Sequence, residues 1–107
     1  MKLLHADICR YELDFTAPVT VRGVLLDKRE GLLLRLKSKG AIAYGEVAPL
    51  TGLHAESLDE ALQALTTFTP ELSRLDRNTP DERQRLINKA TLPPSVATGI
   101  EMALINL

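Results

Sequence analysis

The side chains with chemistry to offer gather around one short stretch, G-E-V-A-P-L-T-G-L-H-A-E-S-L-D-E, residues 45–60. His54 has two readings there. It contacts a substrate carboxylate, or it is a solvated loop histidine with a local hydrogen bond. His54, Glu56 and Glu46 have the composition of a metal set, but no ligand spacing supports one. Glu46 stands just before the loop and is expected to accept from loop backbone N–H groups. Arg22 is a fork-shaped donor for an anionic substrate, or else a solvated loop arginine. Leu50 and Leu53 offer a pocket an apolar wall, or simply pack under the loop. Cys9 reads as buried filler. Gly23, Gly45 and Gly52 read as backbone requirements, because the chain has neither a G-x-G-x-x-G nor a P-loop.

The elements around this stretch must hold it. A strand over Ile42–Ala48 leads into a loop over Pro49–Glu56, broken by Pro49 and Gly52. Ser57 and Glu60 have the S-x-x-E form of a capping box, so a helix begins there. Leu58, Ala61, Leu62, Leu65 and Phe68 put one apolar stripe on it, and Pro70 ends it. Upstream, Lys2–Phe15 is expected as a first strand without clean alternation. Phe15–Arg29 is expected to be mainly loop, because Thr16-Ala17-Pro18 and Arg22-Gly23 cut the run. Gly31–Lys39 is a second strand, with Leu32, Leu34 and Leu36 on one face and Leu33, Arg35 and Lys37 on the other. Ser38-Lys39-Gly40 is the hairpin turn that pairs it antiparallel with the third strand. Ala41, Ala43 and Gly45 make one face of the third strand small, so a helix should pack close there.

Downstream, Thr79-Pro80-Asp81-Glu82 opens a charged surface helix running to about Lys89. Ser95 opens another, with Val96, Gly99, Ile100, Ala103, Leu104 and Leu107 on one face. The expected class is therefore α+β, a three-stranded antiparallel sheet followed by helices. The run stops at Leu107 without a stop signal. That makes residues 1–107 one domain, with about 93–107 a connector helix to a further domain.

Composition narrows the function. The 107 residues suffice for one core. Thirteen basic residues against fourteen acidic ones give no field for nucleic acid or an anionic membrane. Four aromatics and no Trp argue against base stacking. One cysteine fits a reducing compartment, and the amino terminus lacks the apolar run of a signal peptide. No segment is long enough to span a bilayer. The reading is cytoplasmic, with neither nucleic acid nor membrane as partner.

Three blocks, R-E-G-L-L-L-R-L (29–36), G-E-V-A-P-L-T-G-L-H-A-E-S-L-D-E-A (45–61) and L-P-P-S-V-A-T-G-I-E-M-A-L (92–104), resemble the amino-terminal part of o-succinylbenzoate synthases. These are enolase-superfamily dehydratases of menaquinone biosynthesis. The resemblance covers essentially the whole chain, and its middle block is the most specific. It implies a capping domain over a modified TIM barrel that this chain does not contain. In that family the barrel supplies two lysines and three acidic residues that hold magnesium. The substrate is 2-succinyl-6-hydroxy-2,4-cyclohexadiene-1-carboxylate.

The resemblance therefore brings no catalytic and no metal residue to this chain. It implies a substrate-facing role for two cap loops, roughly Phe15–Arg22 and Pro49–His54. The candidate substrate-binding residues are then Arg22, Leu50, Thr51, Gly52, Leu53 and His54. The chain alone is expected to be inactive, and to self-associate through the apolar stripe of its last helix. Two rival readings stand beside this one. The first is the cap of a dipeptide epimerase or N-acylamino-acid racemase. The second is a free-standing, non-catalytic interaction domain.

Overall fold

The computed structural model describes residues 3–21, 23–50 and 55–107. Three strands, β1 (Leu3–Val21), β2 (Val24–Ser38) and β3 (Ala41–Val47), form an antiparallel sheet in that order. Helix α1 (Leu58–Phe68) follows, then a 3-10 segment (Thr69–Arg74), α2 (Pro80–Lys89) and α3 (Pro94–Asn106). This is the α+β order expected from the pattern. No helix among the described residues is long and apolar enough to cross a membrane.

Alternation along β2 builds the core. Leu32, Leu34 and Leu36 are fully buried, while Leu33, Arg35 and Lys37 face outward. The core continues through Val47, Ala61, Leu65, Phe68, Leu72 and Leu75 to Val96, Ile100 and Leu104. Each large side chain so buried contributes roughly 1.5 to 3 kcal/mol.

Helix α3 lies directly on β3, and small residues on both sides make that possible. A Cβ on Gly45 would land on the carbonyl of Gly99 and 3.0 Å from the Ala103 Cβ. A Cβ on Gly99 would lie 2.7 Å from the carbonyl oxygen of Glu46. Two backbones thus touch where the small face of β3 anticipated a close helix. The same packing covers most of the stripe through which self-association is expected. Val96, Ile100, Ala103 and Leu104 are fully buried within this chain. The stripe finds a partner in the chain's own sheet.

The expected loop over Phe15–Arg29 is corrected. β1 and β2 form one long hairpin, with Val19, Thr20 and Val21 paired to Leu26, Leu25 and Val24. The turn is completed by Gly23 at φ 79°, a left-handed conformation that glycine adopts without penalty. The breakers are absorbed by a register shift between Asp14 and Val19. Residues 15–18 there face only Asp27, so Pro18 needs no ladder partner.

The helix starts follow their local chemistry. Ser57 Oγ accepts from the Glu60 N–H at 3.1 Å, and Glu60 Oε1 accepts from the Ser57 N–H at 3.1 Å. The capping box is complete, and α1 has the predicted bounds. Thr79 Oγ1 accepts from the Glu82 N–H at 3.3 Å to start α2 behind Pro80. Pro70 does not stop the chain's winding; it enters the 3-10 segment that follows α1.

Candidate functional site: a cleft between the hairpin and the loop after the third strand

The β1–β2 hairpin continues past the end of β3, and its inner face changes character there. Toward β3, even-numbered positions carry Ile8, Leu32, Leu34 and Leu36 beneath the helices. Beyond it, the same parity carries Arg10, Glu12, Lys28 and Glu30. These charges pair across the strands. Lys28 Nζ lies 3.1 Å from Glu30 Oε1 and 3.8 Å from Glu12 Oε2. Arg10 Nη2 lies 3.6 Å from Glu30 Oε2, and Arg10 Nη1 reaches Asp59 in the first turn of α1 at 3.3 Å. Lys28, and then Arg10, hold the Glu30 carboxyl below the usual carboxylate range.

A cleft of about 310 Å³ opens beside this arm. One wall is Leu25, Leu26, Lys28, Arg29 and Glu30 from the hairpin. The other is Pro49, Leu50, Glu56, Ser57 and Leu58 from the connection between β3 and α1. The cleft thus has an apolar part and a charged part, which suits a small molecule bearing both kinds of group.

Each end of that connection is tied down. Arg29 Nη2 donates to the Ala48 carbonyl at 2.8 Å. Glu56 Oε1 accepts from the Ser95 N–H at 3.1 Å and from Ser95 Oγ–H at 2.5 Å. On the outer face, Tyr11 O–H donates to Glu46 Oε2 at 2.6 Å, its ring lying across Gly31. Burial, then the Glu46 carboxylate, pushes the Tyr11 phenol up to about 12.

Of the predicted site residues, Leu50 lines the cleft and is half-buried. Arg22, Thr51, Gly52, Leu53 and His54 lie outside the described residues, and so does the histidine of the rejected metal set. Glu46 accepts from the Tyr11 hydroxyl on the outer face, while residues 51–54 of the loop it is expected to bind lie outside the described residues. One expectation is corrected. Cys9 is exposed, because its parity puts it on the same outer face, opposite Leu33. Sequence reasoning misses Lys28, Arg29 and Glu30: the first two fall in the expected loop over Phe15–Arg29, and Glu30 is given no element. A period-two recurrence of charge at 10, 12, 28 and 30 marks Lys28 and Glu30 as part of one strand face, with Arg29 on the other.

Residues 3–107 match the family described as MenC, N-terminal domain. The o-succinylbenzoate synthase of Vibrio cholerae serotype O1 (strain M66-2) is 43% identical over 100 residues, which cover 92% of this chain and 27% of the relative. Among solved structures, the dipeptide epimerase of Enterococcus faecalis V583, complexed with Mg and L-Leu-L-Tyr, superposes with a TM-score of 0.83 at 14% identity. The o-succinylbenzoate synthase of Thermosynechococcus elongatus BP-1, with Mg in its active site, superposes at 0.68 and 24%. Each superposition covers 97% of this chain and 30% of the neighbour, and at these identities it establishes the fold alone. The chain spans less than a third of the length of the curated relatives it matches. It belongs to the MenC N-terminal domain family, with the fold of an enolase-superfamily capping domain.

Proposed function

We propose that this chain is the cap of an o-succinylbenzoate synthase-like dehydratase acting in the cytoplasm. It closes over a barrel active site and helps choose the substrate, 2-succinyl-6-hydroxy-2,4-cyclohexadiene-1-carboxylate. Residues 93–107 connect it to that barrel. The observation that carries this reading is the 43% identity over nearly all of the chain to a synthase of that name. The cleft supports it, since Pro49 and Leu50, from the second of the two segments that the family resemblance assigns to substrate-facing loops, line it.

The cap's own contribution is to exclude water and to orient. Residues 49–50 and 56–58, facing the hairpin arm, give the cleft one wall, and excluding water there strengthens polar contacts with a bound molecule. Magnesium, held by acidic residues of the barrel, would supply Lewis-acid stabilisation of negative charge on the substrate. Among the described residues no three His, Cys, Asp or Glu side chains group to hold a metal ion.

The test is the full-length protein assayed for dehydration of that substrate. Replacing Leu53 and His54 together by alanine should raise KM and leave magnesium affinity nearly unchanged. Loss of magnesium affinity with unchanged KM overturns the assignment. A second reading, the cap of a dipeptide epimerase, rests on the close superposition with such an enzyme. Epimerisation of a dipeptide without dehydration would select it.

A further inference from the structure

The connection leaves β3 after Val47 and re-enters regular structure at Leu58. Its second anchor does two jobs. Helix α3 has Pro93 at its N-cap position and no side-chain cap of its own. The first-turn N–H groups of such a helix need acceptors and favour a negative charge. Glu56, 39 residues away in sequence, supplies both, and its partner Ser95 is only 8% exposed. The adjacent Ser57 caps α1. Two neighbouring residues thus start two different helices. The chain at 56–57 is held by the core of the domain, and at Ala48 it is held by Arg29.

We propose that Glu56 and Arg29 are positioning residues for substrate selection. They hold the chain at Ala48 and at Glu56, and so place Pro49, Leu50, Ser57 and Leu58 in the wall of the cleft. This rests on the capping reading above for its link to substrate, but not for its structural part. Neither residue needs to touch the reacting atoms. Their removal acts on binding and leaves the chemical step to the barrel.

The experiment uses the full-length protein carrying Glu56→Ala, Glu56→Gln, Ser95→Ala, the double Glu56→Ala/Ser95→Ala, and Arg29→Met. Glu56→Ala and Arg29→Met should each raise KM about tenfold, the size expected when a charge-assisted hydrogen bond is lost. kcat should stay within about threefold. Glu56→Gln keeps an acceptor oxygen and should recover most of the loss. Ser95→Ala should add little to Glu56→Ala, since the two share one contact.

Amide hydrogen exchange supplies the readout that does not depend on the reaction. In Glu56→Ala, amides 50–57 should exchange at least about tenfold faster, while those of 32–36 keep their rates. Unchanged exchange at 50–57 overturns the proposal. So does equal acceleration in both segments, which would mean general destabilisation, and so does a fall in kcat at constant KM. If the wild-type protein does not dehydrate the cyclohexadiene carboxylate, the capping assignment fails, and the exchange data still decide the role of the two anchors.

Discussion

The inner face of the β1–β2 hairpin has two halves made by the same strands. In one half, Leu32, Leu34 and Leu36 are completely buried beneath the helical layer. In the other, the same parity carries Arg10, Glu12, Lys28 and Glu30. Farther out, the tip leaves Val19 45% and Leu25 68% exposed. Alternation decides which face a side chain occupies, but a covering helix decides whether that face is core. The strands are one continuous element, and the helices cover only part of them. The covered half carries the core, and the projecting half is left open.

The largest effect should come from breaking the covered half at its tightest point. Gly99→Val drives a side chain into the Glu46 carbonyl and Val47. Neither backbone can yield alone, so the cost should exceed about 3 kcal/mol, read as a lower urea midpoint. Leu34→Ala empties a fully buried site and should cost about 2.5 kcal/mol, whereas Leu25→Ala at the tip should stay within about 0.5. Equal costs at Leu34 and Leu25 would abolish the distinction between the halves.

Smaller effects sharpen the boundary. Tyr11→Phe removes the bond to Glu46 and should cost about 0.5 kcal/mol at neutral pH, low because the pair faces solvent. The folded phenol titrates near 12, against an ordinary 10.0. Its contribution is therefore complete below pH 10 and is lost as pH rises from there through 12. An ultraviolet pH titration of stability should show this fall in the wild type, and Tyr11→Phe should lack it. The smallest effect belongs to Asp7→Asn. Arg35, donating from Nε at 2.9 Å, and then His5 hold the Asp7 carboxyl below its ordinary value. That contribution is present above about pH 4 and is lost as pH falls further. Because the group is open to solvent, thermal melts in high salt should barely separate mutant from wild type.

The covered half was largely legible in the sequence, because its signals are local. The Ser57–Glu60 box gave α1 its bounds, and Ala43 and Gly45 announced the close approach of α3. The projecting half was not. Pro18 and Gly23 read as the ends of strands, but Pro18 sits in the register shift at 15–18 and Gly23 in the turn between 19–21 and 24–26, both harmless positions. Cys9 was assigned to the wrong face because a strand whose inner side is partly charged shows no clean alternation. Of the site, only the cleft-lining Leu50 was named in advance among the described residues. Glu56 could not be assigned, because its partner Ser95 lies 39 residues on and nothing in the spacing joins them.

The register shift at 15–18 gives the hairpin arm an adjustable reach. The ladder below it, which ends at Asp14 and Lys28, and the short ladder above it, which begins at Val19 and Leu26, are joined by unmatched residues and share no common frame. A residue added or removed there changes the arm by up to about 3.3 Å, the rise of one strand residue, and moves no leucine of the core. The arm can thus be lengthened or shortened without refolding the domain.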